Sequence, residues 1–197
     1  MSQKIYMPHL STAQHAKPVR TRKALRAALV DLLGDRGLEQ LSIREITTRA
    51  GVGYTTFFRH YPAKEALLND LAGDQVQQLV EMALPVVQSG DLRESMLALC
   101  RYVEGRRRLW RILLTGSAAA ATRDEFLRVA EEIVRNQTWP EGWLPAEAGM
   151  ILIVSGIVEL VGWWLRQDDP LPVERMAEIL DRSVVTPNVA AVLQQPG

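Results

Sequence analysis

The feature that most constrains this chain is the segment from residue 42 to residue 64, SIREITTRAGVGYTTFFRHYPAK. Ser42 followed by Glu45 forms a capping box, which opens a helix because each side chain can bond the other residue's backbone N–H. Gly51 and Gly53 then allow a tight turn, and a second short segment runs until Pro62 stops it. Two short helices joined by such a turn are typical of a helix-turn-helix, which places its second helix in the DNA major groove.

The pattern of apolar residues in the rest of the chain also favours helices. Apolar residues recur at helical spacing from about Val19 to about Val184, and no segment alternates as a strand does. We therefore predict an all-α fold with a flexible arm over residues 1–17, a helix-turn-helix domain over 18–66 and a second helical domain over 67–197. The predicted helices cover residues 19–35, 42–50, 54–61, 63–82 or beyond, 91–105, 106–114, 122–136, 145–166 and 172–184, with a stop at Pro187 and a loose tail after it.

Charge is divided unevenly along the chain. Residues 1–65 hold eleven basic and five acidic residues, giving +6, and the remainder hold twelve and eighteen, giving −6. A basic N-terminal part on an acidic body indicates an anionic partner for the first part only, with chance segregation of charge as the alternative. The single cysteine, Cys100, permits no intramolecular disulfide and fits the cytoplasm.

One segment raises the question of a membrane. Ala148–Leu165 is eighteen residues long with one charge, Glu159, at the lower limit for a membrane span. An apolar helix can instead be buried on two sides in a soluble assembly, and we favour that interpretation.

The residues give little support to an enzyme, a metal site or a cofactor. Of the three histidines, His9 and His15 lie in the predicted arm and His60 lies near the end of the second helix of the motif, so metal-ligand spacing is lacking. We find no phosphate-cradling loop, nucleophile elbow or dinucleotide fingerprint. Glu131 and Glu132 are adjacent and would point apart on a helix. We therefore expect no catalysis and no cofactor.

The segment from about Thr21 to Leu71 resembles the N-terminal domain of TetR-family transcriptional regulators. The matching positions are a basic first helix, Gly37, residues 41–46 (LSIREI), 50–52 (AGV), 56–58 (TFF), 60–61 (HY) and 64–68 (KEALL). The resemblance implies three N-terminal DNA-binding helices, a connecting fourth helix and a helical domain for ligand binding and dimerisation. It further implies a repressor that a small, mainly apolar effector releases from a palindromic operator on double-stranded DNA. The alternative is a helical dimeric adaptor without DNA binding.

The resemblance also implies individual DNA contacts. They fall on Ser42, Arg44, Gly53, Tyr54, Thr55, Thr56, His60, Tyr61 and Lys64. Arg44, Tyr54 and Thr55 match base-reading positions, since Arg can pair with guanine and Thr can touch a thymine methyl. Thr56, His60 and Lys64 match phosphate contacts. Structural alternatives remain open: a cap for Ser42, core packing for Tyr61 and solvated surface for Arg44 and His60.

Three positions depart from the family's pattern. Phe58 stands where Tyr is usual and therefore lacks the hydroxyl that would bind phosphate. Tyr61 stands where Phe is usual. Thr47 replaces a small Ala between the two helices of the motif, which puts their packing in question.

The second domain has candidate pocket and interface residues. Met96, Cys100, Trp110, Phe126 and Met150 are expected to line a mainly apolar effector cavity, with ordinary core packing as the alternative. Cys100 is either a redox sensor or inert packing. The two apolar helices near the C-terminus would form the interface of a homodimer. Its candidate residues are Ile151, Val154, Val158, Val161, Trp164, Met176, Ile179 and Leu180.

Overall fold

The computed structural model describes residues 12–33, 36–88, 91–136, 138–139 and 142–193. In that part of the chain every regular element is a helix, which confirms the all-α fold class. The chain divides into two compact units, residues 1–67 and 68–197.

The first unit holds the predicted helix-turn-helix. Its elements are α1 (Thr12–Leu33), a 3-10 turn (Leu38–Gln40), α2 (Ile43–Ala50), α3 (Tyr54–Phe57) and the start of α4 (Lys64–Gln88). Leu25, Leu29, Ile46, Phe57 and Leu67 are completely buried and form the centre of its core. The core fixes α2 and α3 against α1 and leaves their outer sides in solvent.

The first helix begins earlier than the sequence indicates. It starts at Thr12 instead of Val19 and contains Pro18 in its interior. Proline lacks the N–H that an interior helical residue donates, which is why the sequence favours a start after it. Residues 1–11 of the predicted arm lie outside the described residues.

The second unit is a bundle built around α8. Its further elements are α5 (Leu92–Glu104), α6 (Arg107–Thr115), α7 (Ala119–Arg135), α8 (Ala146–Arg166), α9 (Val173–Leu180), a π-helical segment (Asp181–Val185) and α10 (Thr186–Leu193). α8 packs against α6, α7 and α10, and α5 packs against α9. Asp91 caps α5, its side chain accepting the Glu94 N–H at 2.9 Å.

The C-terminal part corrects the prediction of a stop at Pro187. The helix widens into the π-helical segment, in which the Thr186 N–H reaches the Asp181 carbonyl, and then continues to Leu193. A widened turn gives the Pro187 ring room where a regular helix would clash with it. The Asn188 side-chain amide also donates to the Val184 carbonyl at 2.7 Å.

Two glycines on α8 allow the C-terminal segment to approach closely. A Cβ on Gly149 would lie 2.4 Å from Val192 Cγ2, and one on Gly156 would lie 2.7 Å from Val184 Cγ1. Both neighbours are β-branched and stiff. Gly162, on the same helix, has no neighbouring atom closer than 3.6 Å to such a Cβ.

We expect Gly149→Ala to destabilise the protein although Ala is the better helix former. Overpacking costs about 1–3 kcal/mol, whereas the gain in helix propensity is about 1 kcal/mol. Gly162→Ala is the matched control and should raise stability by up to about 1 kcal/mol, since it has the gain without the clash. Urea unfolding of both variants measures the difference, and equal effects would contradict the close approach of α8 and α10.

α8 is also long and apolar enough to cross a membrane by length and composition, with a mean hydropathy of 1.9 in its most apolar window. One third of that window, 33%, is buried within the subunit. An apolar core helix passes the same test, and the packing of α8 on three other helices fits that explanation.

Candidate nucleic-acid interface and ligand cavity

The capping box forms as predicted and fixes the start of α2. Ser42 Oγ accepts the Glu45 N–H at 3.2 Å, and Glu45 Oε2 accepts the Ser42 N–H at 2.9 Å. The Ser42 hydroxyl also donates to Glu45 Oε2 at 2.7 Å. These hydrogen bonds from Ser42, together with Arg36 at 2.8 Å, lower the pKa of Glu45 from 4.5 to about 2. The Ser42 side chain is therefore occupied as a cap.

The turn between α2 and α3 depends on one glycine in a left-handed conformation. Gly51 has a φ of 63°, a conformation that side chains with a Cβ rarely adopt. Its N–H and that of Val52 close the helix on the carbonyls of Thr48 and Thr47, at 3.2 and 2.9 Å. Thr47 fits the helix contact despite its hydroxyl, because that group donates to the Arg44 carbonyl at 3.0 Å.

An exposed surface joins the two helices of the motif. We define the α2–α3 surface as Arg44, Tyr54, Thr55 and Phe58, all of which are exposed. The Arg44 guanidinium carbon lies 5.8 Å from the centre of the Tyr54 ring, and the rings of Tyr54 and Phe58 meet edge to face at 5.4 Å. The structure thus brings the three predicted base-reading residues together on the outer face of the motif.

Phe58 was not among the predicted DNA contacts, yet it lies on this surface. Its side chain is 48% exposed, whereas the adjacent Phe57 is fully buried. The two phenylalanines look alike in the sequence, and only the short α3 decides which one faces the core. The remaining predicted contacts near them differ in solvent exposure: Gly53 is exposed, and Thr56 and His60 are half-buried.

The structure corrects one predicted DNA contact, Tyr61, and shows protein acceptors for another, Lys64. Tyr61 is 4% exposed and packs on Phe57, and its hydroxyl accepts a hydrogen bond from Arg22 Nε at 3.3 Å. It belongs to the core. The Lys64 ammonium donates to the carbonyls of Leu38 and Leu41, both at 2.9 Å, and to that of Glu39 at 3.4 Å. These hydrogen bonds tie the 3-10 turn to the start of α4, and the phosphate contact of Lys64 stays a prediction.

We expect Lys64→Ala to lower the stability of the first unit by about 2 kcal/mol, because hydrogen bonds from a charged donor are lost and two half-buried carbonyls lose a partner. Hydrogen exchange of the α2 and α3 amides in the full chain measures the change. Arg59→Ala is the matched control, since Arg59 is an exposed cation in the same unit and surface substitutions shift stability by less than about 0.5 kcal/mol. Equal exchange in both variants would contradict the structural role.

In the second unit, two of the five predicted pocket residues lie together. The rings of Trp110 and Phe126 stack with centres 6.2 Å apart. They border a cavity of about 10 Å³ to which α4, α5, α6, α7 and α8 all contribute. Its other lining residues are Leu79, Leu99, Val103, Leu114, Ile157, Val158 and Val161.

The other three predicted pocket residues lie elsewhere. Met96 and Cys100 are buried on α5 and border neither this cavity nor the groove described next. Burial raises the pKa of the Cys100 thiol from 9.0 to about 12, and since the thiolate is the reactive form, Cys100 is inert packing. Met150 lines a surface groove of about 330 Å³ between α7 and α8, bordered also by Glu131, Arg135 and Glu147.

The predicted dimer residues divide into two groups. Val158, Val161, Trp164, Met176 and Leu180 are at most 7% exposed within the single subunit. They form the subunit's own core, which corrects their assignment to the interface. Val154 and Ile179 are half-buried and Ile151 is 51% exposed. Leu152 and Trp163, which the prediction omitted, are also exposed on α8.

Comparison with known proteins agrees with this arrangement. Residues 25–71 match the family described as bacterial regulatory proteins, tetR family. The TetR transcriptional regulator from Streptococcus agalactiae 2603V is 22% identical, with 87% of this chain and 97% of that one covered and a TM-score of 0.58. Thermus thermophilus FadR, a TetR-family transcriptional repressor in complex with lauroyl-CoA, is 19% identical, with 89% and 97% covered and a TM-score of 0.59. RolR in complex with resorcinol is 20% identical, with 93% and 98% covered and a TM-score of 0.54.

These findings confirm the resemblance to TetR-family transcriptional regulators. The helix-turn-helix lies within the segment that matches the family, and the fold extends over nearly the whole chain. The match and the fold support DNA-binding transcriptional regulation.

Proposed function

We propose that this protein is a sequence-specific DNA-binding repressor that leaves a palindromic operator when a small, mainly apolar effector binds. The observation that carries the proposal is the exposed α2–α3 surface. Arg44, Tyr54 and Thr55 stand together in solvent on two helices held by a capping box and a glycine turn. Arginine and threonine at such a position can contact guanine and the thymine methyl in the major groove.

A homodimer accounts for the palindromic operator and for the exposed side of α8. Ile151 and Leu152 are each 51% exposed and Trp163 is 40% exposed. A second copy of the chain would cover these apolar side chains, and a two-fold dimer matches a two-fold operator. We therefore assign the apolar character of α8 to packing in a cytoplasmic dimer.

The cavity around Trp110 supports regulation by an effector. It is lined by side chains from α4 to α8, and α4 is the helix that begins with Lys64 at the end of the DNA-binding unit. A ligand that displaces Leu79 can shift α4 along with it. FadR with lauroyl-CoA and RolR with resorcinol show that proteins of this fold hold ligands of very different chemistry, so the fold alone leaves the effector open.

Selection of genomic DNA fragments by the purified full chain at moderate salt tests the proposal. We expect enrichment of one palindrome, because the dimer presents the α2–α3 surface twice. Salt-sensitive binding without any enriched sequence would contradict base reading and leave only a basic surface. A folded dimer that binds no DNA would favour the dimeric adaptor instead.

Sedimentation tests the assembly separately. We expect the wild type to be a dimer and Leu152→Lys to be a monomer, because the new charge would be buried at the interface without a partner. Val19→Lys is the control, since Val19 is 65% exposed on α1. A wild type that is monomeric at micromolar concentration would contradict the dimer.

A further inference from the structure

We propose that the ring of Tyr54 holds the Arg44 guanidinium in the orientation in which it reads a base, and that Phe58 supports that ring. Tyr54 is then a positioning residue for sequence recognition, and Arg44 makes the contact to the base. The inference deepens the proposed function and rests on it, because it says what fixes the reading group of the α2–α3 surface.

Arg44 is an exposed arginine without an acidic partner. Its neighbours in the same unit differ from it. Arg36 pairs with Glu45 at 2.8 Å, and Arg49 pairs with Asp31 at 2.9 Å. In the part of the chain that the structure describes, no carboxylate lies within ion-pair distance of the Arg44 guanidinium. A long side chain free in water keeps many rotamers, so ordering it on DNA costs entropy unless the protein already supports it.

The Tyr54 ring is the support that the structure provides. Tyr54 opens α3 directly after the glycine turn, which brings its ring to Arg44 on α2. The Arg44 guanidinium carbon lies over that ring, 5.8 Å from its centre, within the distance of about 6 Å at which a cation is attracted to an aromatic face. An arginine held on an aromatic face keeps the fork of N–H donors at its edge, and that fork is what pairs with guanine.

The Tyr54 ring is itself connected to the core through Phe58. The two residues are four positions apart, and their rings meet edge to face at 5.4 Å and 70°. Phe58 meets Phe57 in the same way at 5.4 Å and 77°, and Phe57 is completely buried. Edge-to-face contact is a favoured geometry for aromatic pairs. Three rings therefore connect Arg44 with the buried centre of the unit, and Phe58, which has no hydroxyl for a phosphate, is the middle one.

A direct DNA contact by Tyr54 is the alternative, and two substitutions separate it from the positioning role. The attraction to Arg44 needs the aromatic face, whereas a polar contact of Tyr54 with DNA needs the hydroxyl. Tyr54→Phe keeps the face and removes the hydroxyl, and Tyr54→Leu removes the face and keeps apolar bulk. Tyr54 is 47% exposed, so neither change disturbs the core.

The first measurement needs no DNA. Protons over an aromatic ring resonate upfield, so the side-chain protons of Arg44 report its position in NMR spectra of the full chain with 13C-labelled arginine, assigned through Arg44→Lys. We expect Tyr54→Phe to keep the upfield shift, Phe58→Ala to reduce it and Tyr54→Leu to abolish it. Arg49, paired with Asp31, is the internal control and should keep its shifts throughout. An Arg44 signal that is the same in the wild type and in Tyr54→Leu would overturn the inference.

The second measurement asks whether the contact sharpens base reading. Its readout is the ratio of dissociation constants for the enriched palindrome and for a version changed, in both half-sites, at the base pair where Arg44→Ala relaxes specificity. We expect Tyr54→Leu to lower that ratio about five- to 25-fold, because an exposed cation–π contact is worth about two- to fivefold in each half-site. Tyr54→Phe should keep the wild-type ratio. Thr55→Ala, which changes the adjacent exposed residue and leaves the ring in place, should also keep it.

A double variant completes the test. If Tyr54 acts through Arg44, then Arg44→Ala combined with Tyr54→Leu should lose no more discrimination at that base pair than Arg44→Ala alone. Additive losses, an unchanged ratio in Tyr54→Leu, or an equal loss in Tyr54→Phe would overturn the inference and leave the regulator standing. A wild type that prefers no sequence would refute the proposed function and the recognition role together, and the Arg44 proton shift would still decide whether Tyr54 holds the side chain.

Discussion

Phe57→Ala is expected to remove most of the stability of the first unit while residues 68–197 stay folded. Phe57 is fully buried, and its ring meets those of Tyr61 at 5.8 Å and Phe58 at 5.4 Å. Truncating a core phenylalanine costs about 3–5 kcal/mol, close to the total stability of a unit of this size at about 0.05–0.15 kcal/mol per residue. Hydrogen exchange in the full chain should show loss of protection in α2 and α3 and retention in α8.

The neighbouring residue supplies the control. Phe58 has the same side chain and lies one position away, but it is 48% exposed. We expect Phe58→Ala to change the stability of the first unit by less than about 1 kcal/mol, as surface substitutions do. Equal loss of protection in both variants would mean that α3 is packed in a different orientation from the one described.

Arg44→Ala is expected to have the largest effect on DNA recognition. Loss of a bidentate contact to guanine costs about 1–3 kcal/mol, and a two-fold dimer loses it in both half-sites. Because the two half-sites are distant, the costs add, and the total is about 2–6 kcal/mol. Fluorescence anisotropy on the enriched palindrome and on versions with single base changes should also show relaxed specificity at one position in each half-site.

Arg49→Ala is the matched control on the same helix. Arg49 is exposed and forms a salt bridge with Asp31 at 2.9 Å, so this variant removes the same charge from α2 without touching the α2–α3 surface. It should weaken all DNA sequences alike and leave base preference unchanged. If Arg44→Ala behaves in the same way, Arg44 acts through phosphate or through its charge alone and reads no base.

The local backbone features of the first unit could be predicted from the sequence. The capping box and the glycine turn involve residues no more than a few positions apart, and their geometry follows from backbone chemistry. The exposure of Arg44, Tyr54 and Thr55 agrees with the base-reading roles that the family resemblance implies.

What the sequence could not show depends on contacts between distant residues. The hydrogen bond from Lys64 to the Leu38 carbonyl joins residues 26 positions apart in sequence, and no local pattern indicates it. Val158 and Trp164 are apolar enough for either a core or an interface, and only the packing of α8 within the subunit decides between the two.

The most direct test of DNA reading by this protein is the ratio of its dissociation constants for the enriched palindrome and for a scrambled duplex of equal length, measured at one moderate salt concentration. Specific DNA-binding proteins prefer their sites by about a thousandfold or more, and we expect a ratio of that order for the wild-type dimer. A ratio below about tenfold, equivalent to 1.4 kcal/mol, would contradict the claim that the α2–α3 surface reads a sequence.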